Sequence, residues 1–275
     1  TVMRNQRRKL YPDLFEAFKK YIDNTGDTST MLYCHTSYPD LGWDIPELLQ
    51  ENNLSSRVLF TYVCGQTGNP FPSLFKGAVI ESPFTNQFGA VLSSVKTGVS
   101  YEQLSDIINI FDLYVQYANC EGFGLPQVEA AACGIPVMGT DYSAMESVLR
   151  KLEGFPITPK ALYKELETGC LRAVPNNDLA AEEFEKFFSL TETERTSIGN
   201  NTRELFEKHY QWNDTGKYSA TTSTTGGMYF NESSQAFDGQ ATRSPFNFDI
   251  AYDHMMSLCN RRNMWEQKRM EVATQ

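Results

Sequence analysis

Residues 113–149, Leu113 to Leu149, read LYVQYANCEGFGLPQVEAAACGIPVMGTDYSAMESVL and decide the fold. Leu113-Tyr114-Val115 with Tyr117 is a short apolar run rich in aromatic and β-branched residues, the composition of a strand buried between helices. It ends at Asn119-Cys120. Gly122 and Gly124 follow, and residues without a Cβ permit a tight turn and close approach of a ligand to the backbone. Pro126 suits a first helical position, Gln127 to Cys133 continue the helix, and Gly134 ends it as a left-handed residue before Pro136-Val137-Met138 opens a second buried strand.

Such a β-turn-α-β unit leaves the N–H groups of Gly124, Leu125 and Gln127, with the positive end of the helix dipole, at the carboxyl edge of a parallel sheet, where anionic ligands bind in open α/β folds. A phosphate fits there. Glu121 and Glu129 would repel a diphosphate they faced, so their expected work is to accept hydrogen bonds from hydroxyls, which an ionised carboxylate does well with a vicinal diol. Hydroxyls flanking phosphates describe a ribose and a sugar. Taken alone, a glutamate in a first helical turn merely suits the dipole, and Gly-x-Gly turns are common.

Glu121-Gly-Phe-Gly-Leu-Pro-Gln-Val-Glu129, followed by Ala-Ala-Ala-Cys-Gly-Ile-Pro-Val, resembles the E-x7-E signature of family 4 glycosyltransferases of the GT-B fold. The resemblance implies that Glu121 and the turn at Gly122 lie against the donor sugar, that the amides of Phe123-Gly124-Leu125 meet the phosphates, and that Glu129 holds the ribose hydroxyls. The amino terminus is similar to the same family. Thr1-Val2-Met3 is strand-like and precedes the basic run Arg4-Asn-Gln-Arg-Arg-Lys9. A helical pattern follows through Leu14, Phe15, Phe18, Tyr21 and Ile22. The family places an arginine and a lysine here, both directed at the donor diphosphate; Arg4 and Lys9 match best, with Arg8 a rival for the lysine role. Two cations there would neutralise ground-state charge and stabilise the departing nucleoside diphosphate. Arg7 reads as a solvated loop cation.

Composition bounds the classes. The chain has 275 residues, 41% hydrophobic and 21% charged, with formal charge −10, the balance of a globular protein with a substantial core. A local basic cluster in an acidic chain fits an anion site without implying a nucleic-acid protein, and no nucleic-acid partner is expected. No apolar run approaches the roughly 20 residues that span a bilayer, and no signal-peptide core follows TVMRNQRRK, so the expected location is cytoplasmic, peripheral membrane attachment remaining an alternative. Cys34, Cys64, Cys120, Cys133, Cys170 and Cys259 show no metal-ligand spacing; they are expected to be reduced and mostly buried, with no metal or other cofactor.

Along the rest of the chain, Thr30 to His35 is a strand, Ile45 to Asn52 a short helix and Val58 to Val63 a third strand, an alternation typical of a parallel sheet. His35, at a strand end, reads as a packed residue. In the resembled family the loop after the third strand, here Cys64-Gly65-Gln66-Thr67-Gly68, surrounds the nucleotide base, which makes Gly65 a candidate donor contact. The section from Asn69 to Gly98 has no clean period and reads as a loop elaboration. Ser100 opens a helix with Leu104, Ile107, Ile108 and Phe111 on its apolar face. Ser143 and Glu146 suggest a capping box, and the resemblance puts Thr140 and Ser143 beside the donor. Leu179 to Phe188 and Thr191 to Tyr210 read as helices. Residues 219–246, rich in Ser, Thr and Gly, suggest a linker or irregular hairpin, and 247–275 a carboxyl-terminal helix with Phe248, Tyr252, Met255 and Cys259 on one stripe.

The expected architecture is therefore α/β: a Rossmann-like parallel sheet flanked by helices over residues 1–218, one half of a GT-B fold, with an extra carboxyl-terminal linker and helix. The resemblance, covering about residues 2–212, implies a retaining transfer of sugar from a nucleotide-diphosphate sugar to a glycan, lipid or protein acceptor that the sequence leaves open. It also implies an amino-terminal GT-B domain supplied in cis or in trans, the chain being a fragment or a separate donor-binding subunit. A non-catalytic sugar-nucleotide-binding subunit and a GT-B epimerase or donor hydrolase are the alternatives.

Overall fold

The computed structural model describes residues 1–81 and 88–210. The opening segment lies parallel to the first strand, with the Met3 amide donating to His35 O at 3.1 Å and the His35 amide to Thr1 O at 2.9 Å. Helix α1 (Tyr11–Thr25) buries Tyr11, Leu14, Phe15, Phe18 and Tyr21 along one face and stops at Gly26, left-handed at φ +69°. Strand β1 (Leu32–Cys34) leads to α2 (Ile45–Glu51), capped by the Asp44 carboxylate on the Glu47 amide at 3.1 Å, and β2 (Val58–Cys64) returns parallel to β1.

The stretch read as a loop elaboration is instead β3 (Pro70–Leu74), β4 (Val79–Glu81) and β5 (Phe88–Leu92), which make an antiparallel extension. Two physical facts hid it. Pro70 and Pro72 give no strand signal, yet β3 bonds only to β2 and tolerates proline as an edge strand does. Strand β4 is three residues long with exposed ends, too short for a period. The first sheet is thus mixed rather than wholly parallel, in the order β1-β2-β5-β4 with β3 on β2.

Helix α3 (Tyr101–Asn109) begins in a capping box between Ser100 and Gln103. The quoted stretch then folds as β6 (Tyr114–Gln116), α4 (Leu125–Ala132), β7 (Val137–Thr140) and α5 (Ala144–Lys151), followed by β8 (Phe155–Ile157). Strands β6, β7 and β8 form a parallel three-stranded sheet. An exposed hairpin, β9 (Ala161–Lys164) with β10 (Leu171–Val174), precedes α6 (Asn177–Ser189) and α7 (Glu192–His209).

Two apolar clusters hold these layers. One joins α1, α2, the first sheet and Phe184 of α6; the other packs α4, α5 and Phe206 of α7 around Tyr114 and Val137. Helix α7 reaches α4 closely because both contact points are glycines: a Cβ on Gly199 would lie 2.5 Å from Gly134 O. The Arg203 guanidinium donates to Ala132 O at the carboxyl end of α4, where a cation suits the dipole.

The structure corrects three smaller expectations. Ser143 does not cap α5: it is left-handed at φ +56°, makes no cap bond, and Glu146 pairs with Arg150 instead of closing a capping box. The Gln127 amide is not free, since it donates to Gly124 O at 3.0 Å. Of the cysteines, Cys34 and Cys133 are buried, but Cys64 and Cys120 are half-buried and Cys170 is exposed; all five are free thiols. Cys259, the 219–246 linker and the 247–275 helix lie outside the described residues. Among the described residues no helix is long and apolar enough to cross a membrane.

Candidate functional site

The basic turn is pinned before any side chain of it does chemistry. Asn5 is fully buried and bonds twice to the Trp43 backbone, at 2.8 and 2.9 Å, while the Trp43 indole donates to Lys9 O at 2.8 Å. The turn then pairs with the loop after β6: Leu10 N–H donates to Tyr117 O at 3.1 Å and Asn119 N–H to Arg8 O at 3.0 Å. Segments 110 positions apart in sequence are thereby laid side by side, and Lys9 and Arg8 meet Glu121.

Glu121 is the hub. Its carboxylate accepts from the Lys9 ammonium, from Arg8 Nη1 at 2.8 Å and from Gln116 Nε2 at 3.0 Å. Its backbone is clasped as well, the amide donating to Ser143 Oγ at 2.9 Å and the carbonyl accepting from the Ala144 amide at 3.4 Å. The left-handed Ser143 turns its hydroxyl to this task instead of to α5. The side chains of Lys9 and Glu121 are only 7% and 9% exposed, whereas that of Arg8 is 44% exposed. Burial, and secondarily the charge of Arg8, push the Lys9 ammonium down to about 7.

Below this cluster sits a buried polar pair. Gln116 Oε1 accepts from the Tyr114 hydroxyl at 2.5 Å, and both residues are fully buried on β6. Burial, foremost, raises the Tyr114 phenol well above its ordinary value, and the charge of Glu129 adds to the rise. Glu129 is half-buried on α4. The structure therefore brings Lys9 and Arg8 onto Glu121, which opens the glycine turn, while Glu129 lies on the helix that follows.

The turn is shaped by its second glycine. Gly124 is left-handed at φ +84°, a conformation that costs other residues dearly, and a Cβ there would meet Gln127 Oε1 at 2.8 Å. As N-cap and first residue of α4, Gly124 and Leu125 keep their amides out of the helical ladder, and neither donates to another backbone group among the described residues. Gly122 is exposed, and Phe123 packs edge-on against Tyr210 with centroids 6.4 Å apart, which anchors the turn. Thr140 is fully buried with a hydroxyl that finds no partner among the described residues, and the side-chain carboxamide of Gln127 beneath the turn, unlike its backbone N–H, is likewise unpaired there.

Arg4 stands apart from this cluster. It pairs with Asp40 at 2.8 and 3.1 Å, and that bond, foremost, holds the Asp40 carboxyl well below the usual carboxylate range. Arg4 also lines a cavity of about 280 Å³ at the carboxyl end of β1, with His35, Thr36, Ser93, Ser94 and Val95. Gly65 is elsewhere, in the exposed β2–β3 turn, with its amide on Gly89 O at 3.2 Å. The loop that adjoins Arg4 is thus 93–98, after β5; the antiparallel extension displaced it from where strand counting would put it. His35 is packed as expected, Nδ1 lying 2.8 Å from Thr61 Oγ1, and burial pushes its imidazole down to about 4. Gln116, Asp40 and residues 93–98 were not singled out in the sequence; a glutamine inside an otherwise apolar strand was the available signal for the first.

The fold is a mixed α/β arrangement with a parallel sheet and flanking helices, which the chain shares with glycosyltransferases of the GT-B type. A solved structure, sucrose-phosphate synthase from Thermosynechococcus elongatus, superposes on 82% of this chain with TM-score 0.51 at 17% identity, this match spanning 45% of that protein. Residues 93–205 match the family model for group 1 glycosyl transferases. Over 122 residues the chain is 29% identical to sucrose synthase 2 of Zea mays, covering 40% of this chain and 15% of that protein. Over 118 residues it is 30% identical to sucrose synthase 1 of Oryza sativa subsp. japonica, covering 38% and 14%.

Proposed function

We propose that the chain binds a nucleotide-diphosphate sugar at the carboxyl edge of its parallel strands and serves as the donor half of a retaining glycosyltransferase. The diphosphate lies on the amides of Gly124 and Leu125 and on Lys9, with Arg8 and Arg4 adding charge, the latter from the neighbouring cavity. Glu129 takes the ribose hydroxyls and Glu121 the donor sugar. As the bond from the anomeric carbon to the phosphate oxygen breaks, its electron pair stays with the diphosphate, and the cations and helix amides stabilise that charge without a metal. The acceptor hydroxyl oxygen then bonds to the anomeric carbon, and its proton passes to the departing diphosphate, whose oxygen kept the electron pair. Retention follows from the family resemblance of the motif, and the acceptor belongs to a partner half in cis or in trans.

The observation that carries this reading is the convergence of a buried lysine and an arginine on Glu121, at the start of a glycine turn that leads into a helix amino terminus. The group 1 domain match over the same turn supports it. A thermal-shift panel of UDP-, GDP-, ADP- and TDP-sugars tests it. A donor at 100 times its dissociation constant adds about 2.7 kcal/mol of apparent stability, a shift of several degrees for a domain of this size. No shift with any of the four would contradict it.

A further inference from the structure

Glu121 has more partners than a carboxylate waiting for a sugar needs. It holds the Lys9 ammonium and Arg8 at once, and these are the groups the proposed function assigns to the diphosphate. A diphosphate carries more charge than a carboxylate and offers more acceptor oxygens, so it outcompetes Glu121 for both cations. Gln116 does not join that exchange. It is fully buried, its oxygen is fixed by the Tyr114 hydroxyl at 2.5 Å, and this orientation turns its N–H groups toward Glu121, as an ionised acceptor requires. The Glu121 backbone also stays in place, clasped by Ser143 and Ala144.

We propose that Glu121 is an internal stand-in for the donor diphosphate, and that Gln116 is the positioning residue that keeps its carboxylate in the site once Arg8 and Lys9 turn to the diphosphate. Gln116 acts through Glu121 and touches no reacting atom. The proposal rests on the donor-site reading above.

Inorganic pyrophosphate, titrated calorimetrically into the full chain, probes the exchange without a choice of base or sugar. Glu121→Gln removes the competing charge and is expected to tighten pyrophosphate about tenfold. Gln116→Leu strands the carboxylate on Lys9 and is expected to weaken pyrophosphate about fivefold. In the Glu121→Gln background the Gln116 change has no effect, because nothing is left to hold. Gln116→Met, which keeps the length of the side chain without its donor, is run in parallel should the leucine variant melt early. A purely structural Gln116 would weaken binding equally in both backgrounds, and that result overturns the proposal, as does a Glu121→Gln variant no tighter than wild type. Failure of wild type and Glu121→Gln alike to bind pyrophosphate instead removes the donor-site reading and this proposal with it.

Discussion

At the scale of single residues, the account turns on two glutamates given different work. Glu121 is engaged by Lys9 and Arg8, whereas Glu129 lies on α4 beyond the glycine turn, so their substitutions are expected to separate. Glu129→Ala loses the charged acceptor for a diol and weakens nucleotide binding about tenfold or more in calorimetry. Glu121→Ala chiefly harms transfer; equal losses of affinity in both variants would contradict the division. Lys9 supplies a pH signature. Its ammonium is pushed down to about 7 by burial, so above that pH the free site is deprotonated, while an arriving diphosphate favours the charged form. Anion affinity is therefore expected to fall as pH rises through about 7. Binding at pH 8 should take up protons, seen as a dependence of calorimetric enthalpy on the ionisation enthalpy of the buffer. Zero uptake would sink this. The chemistry-bearing residues of the turn were legible in the sequence because glycine, proline and glutamate at fixed offsets are local signals. Gln116 and Asp40 were not, since each gains its meaning from a partner far away in sequence, Glu121 held by Lys9 in one case and Arg4 in the other.

At the scale of elements, packing decides signs that propensity alone would get wrong. Alanine in place of glycine within a helix ordinarily stabilises by about 1 kcal/mol. On α7, however, Gly199→Ala drives a Cβ to 2.5 Å from Gly134 O, backbone that cannot swing aside, and overpacking costs about 1–3 kcal/mol. Urea denaturation should thus find Gly199→Ala destabilised; a stabilised variant would show that α4 and α7 can separate freely. Helices were read well from an apolar stripe, as α1 shows, and from a cap, as Ser100 of α3 shows. The β3–β5 extension was not, because an edge strand with two prolines and a three-residue strand owe their existence to pairing with β2, which no local pattern announces. The same extension follows the turn that holds Gly65, and residues of the 93–98 segment after it line the cavity beside Arg4.

At the scale of the molecule, the site is an edge where separate segments meet: the basic turn from the amino terminus, the glycine turn after β6 and Ser143 after β7. Stability should report this joining through His35, whose imidazole burial lowers to about 4 against an ordinary value of 6.5. Between those values the unfolded chain binds a proton that the folded chain refuses, so stability falls as pH drops from 6.5 toward 4. His35→Gln is expected to flatten that slope in melting curves, and an unchanged slope would assign the loss elsewhere. The central claim, that the buried lysine beside Glu121 grips a donor diphosphate, is tested most directly by calorimetric titration of the nucleotide with the largest thermal shift into wild type and Lys9→Ala. With folding verified by circular dichroism, the account predicts an affinity loss of about tenfold or more; an affinity equal to that of wild type would contradict it.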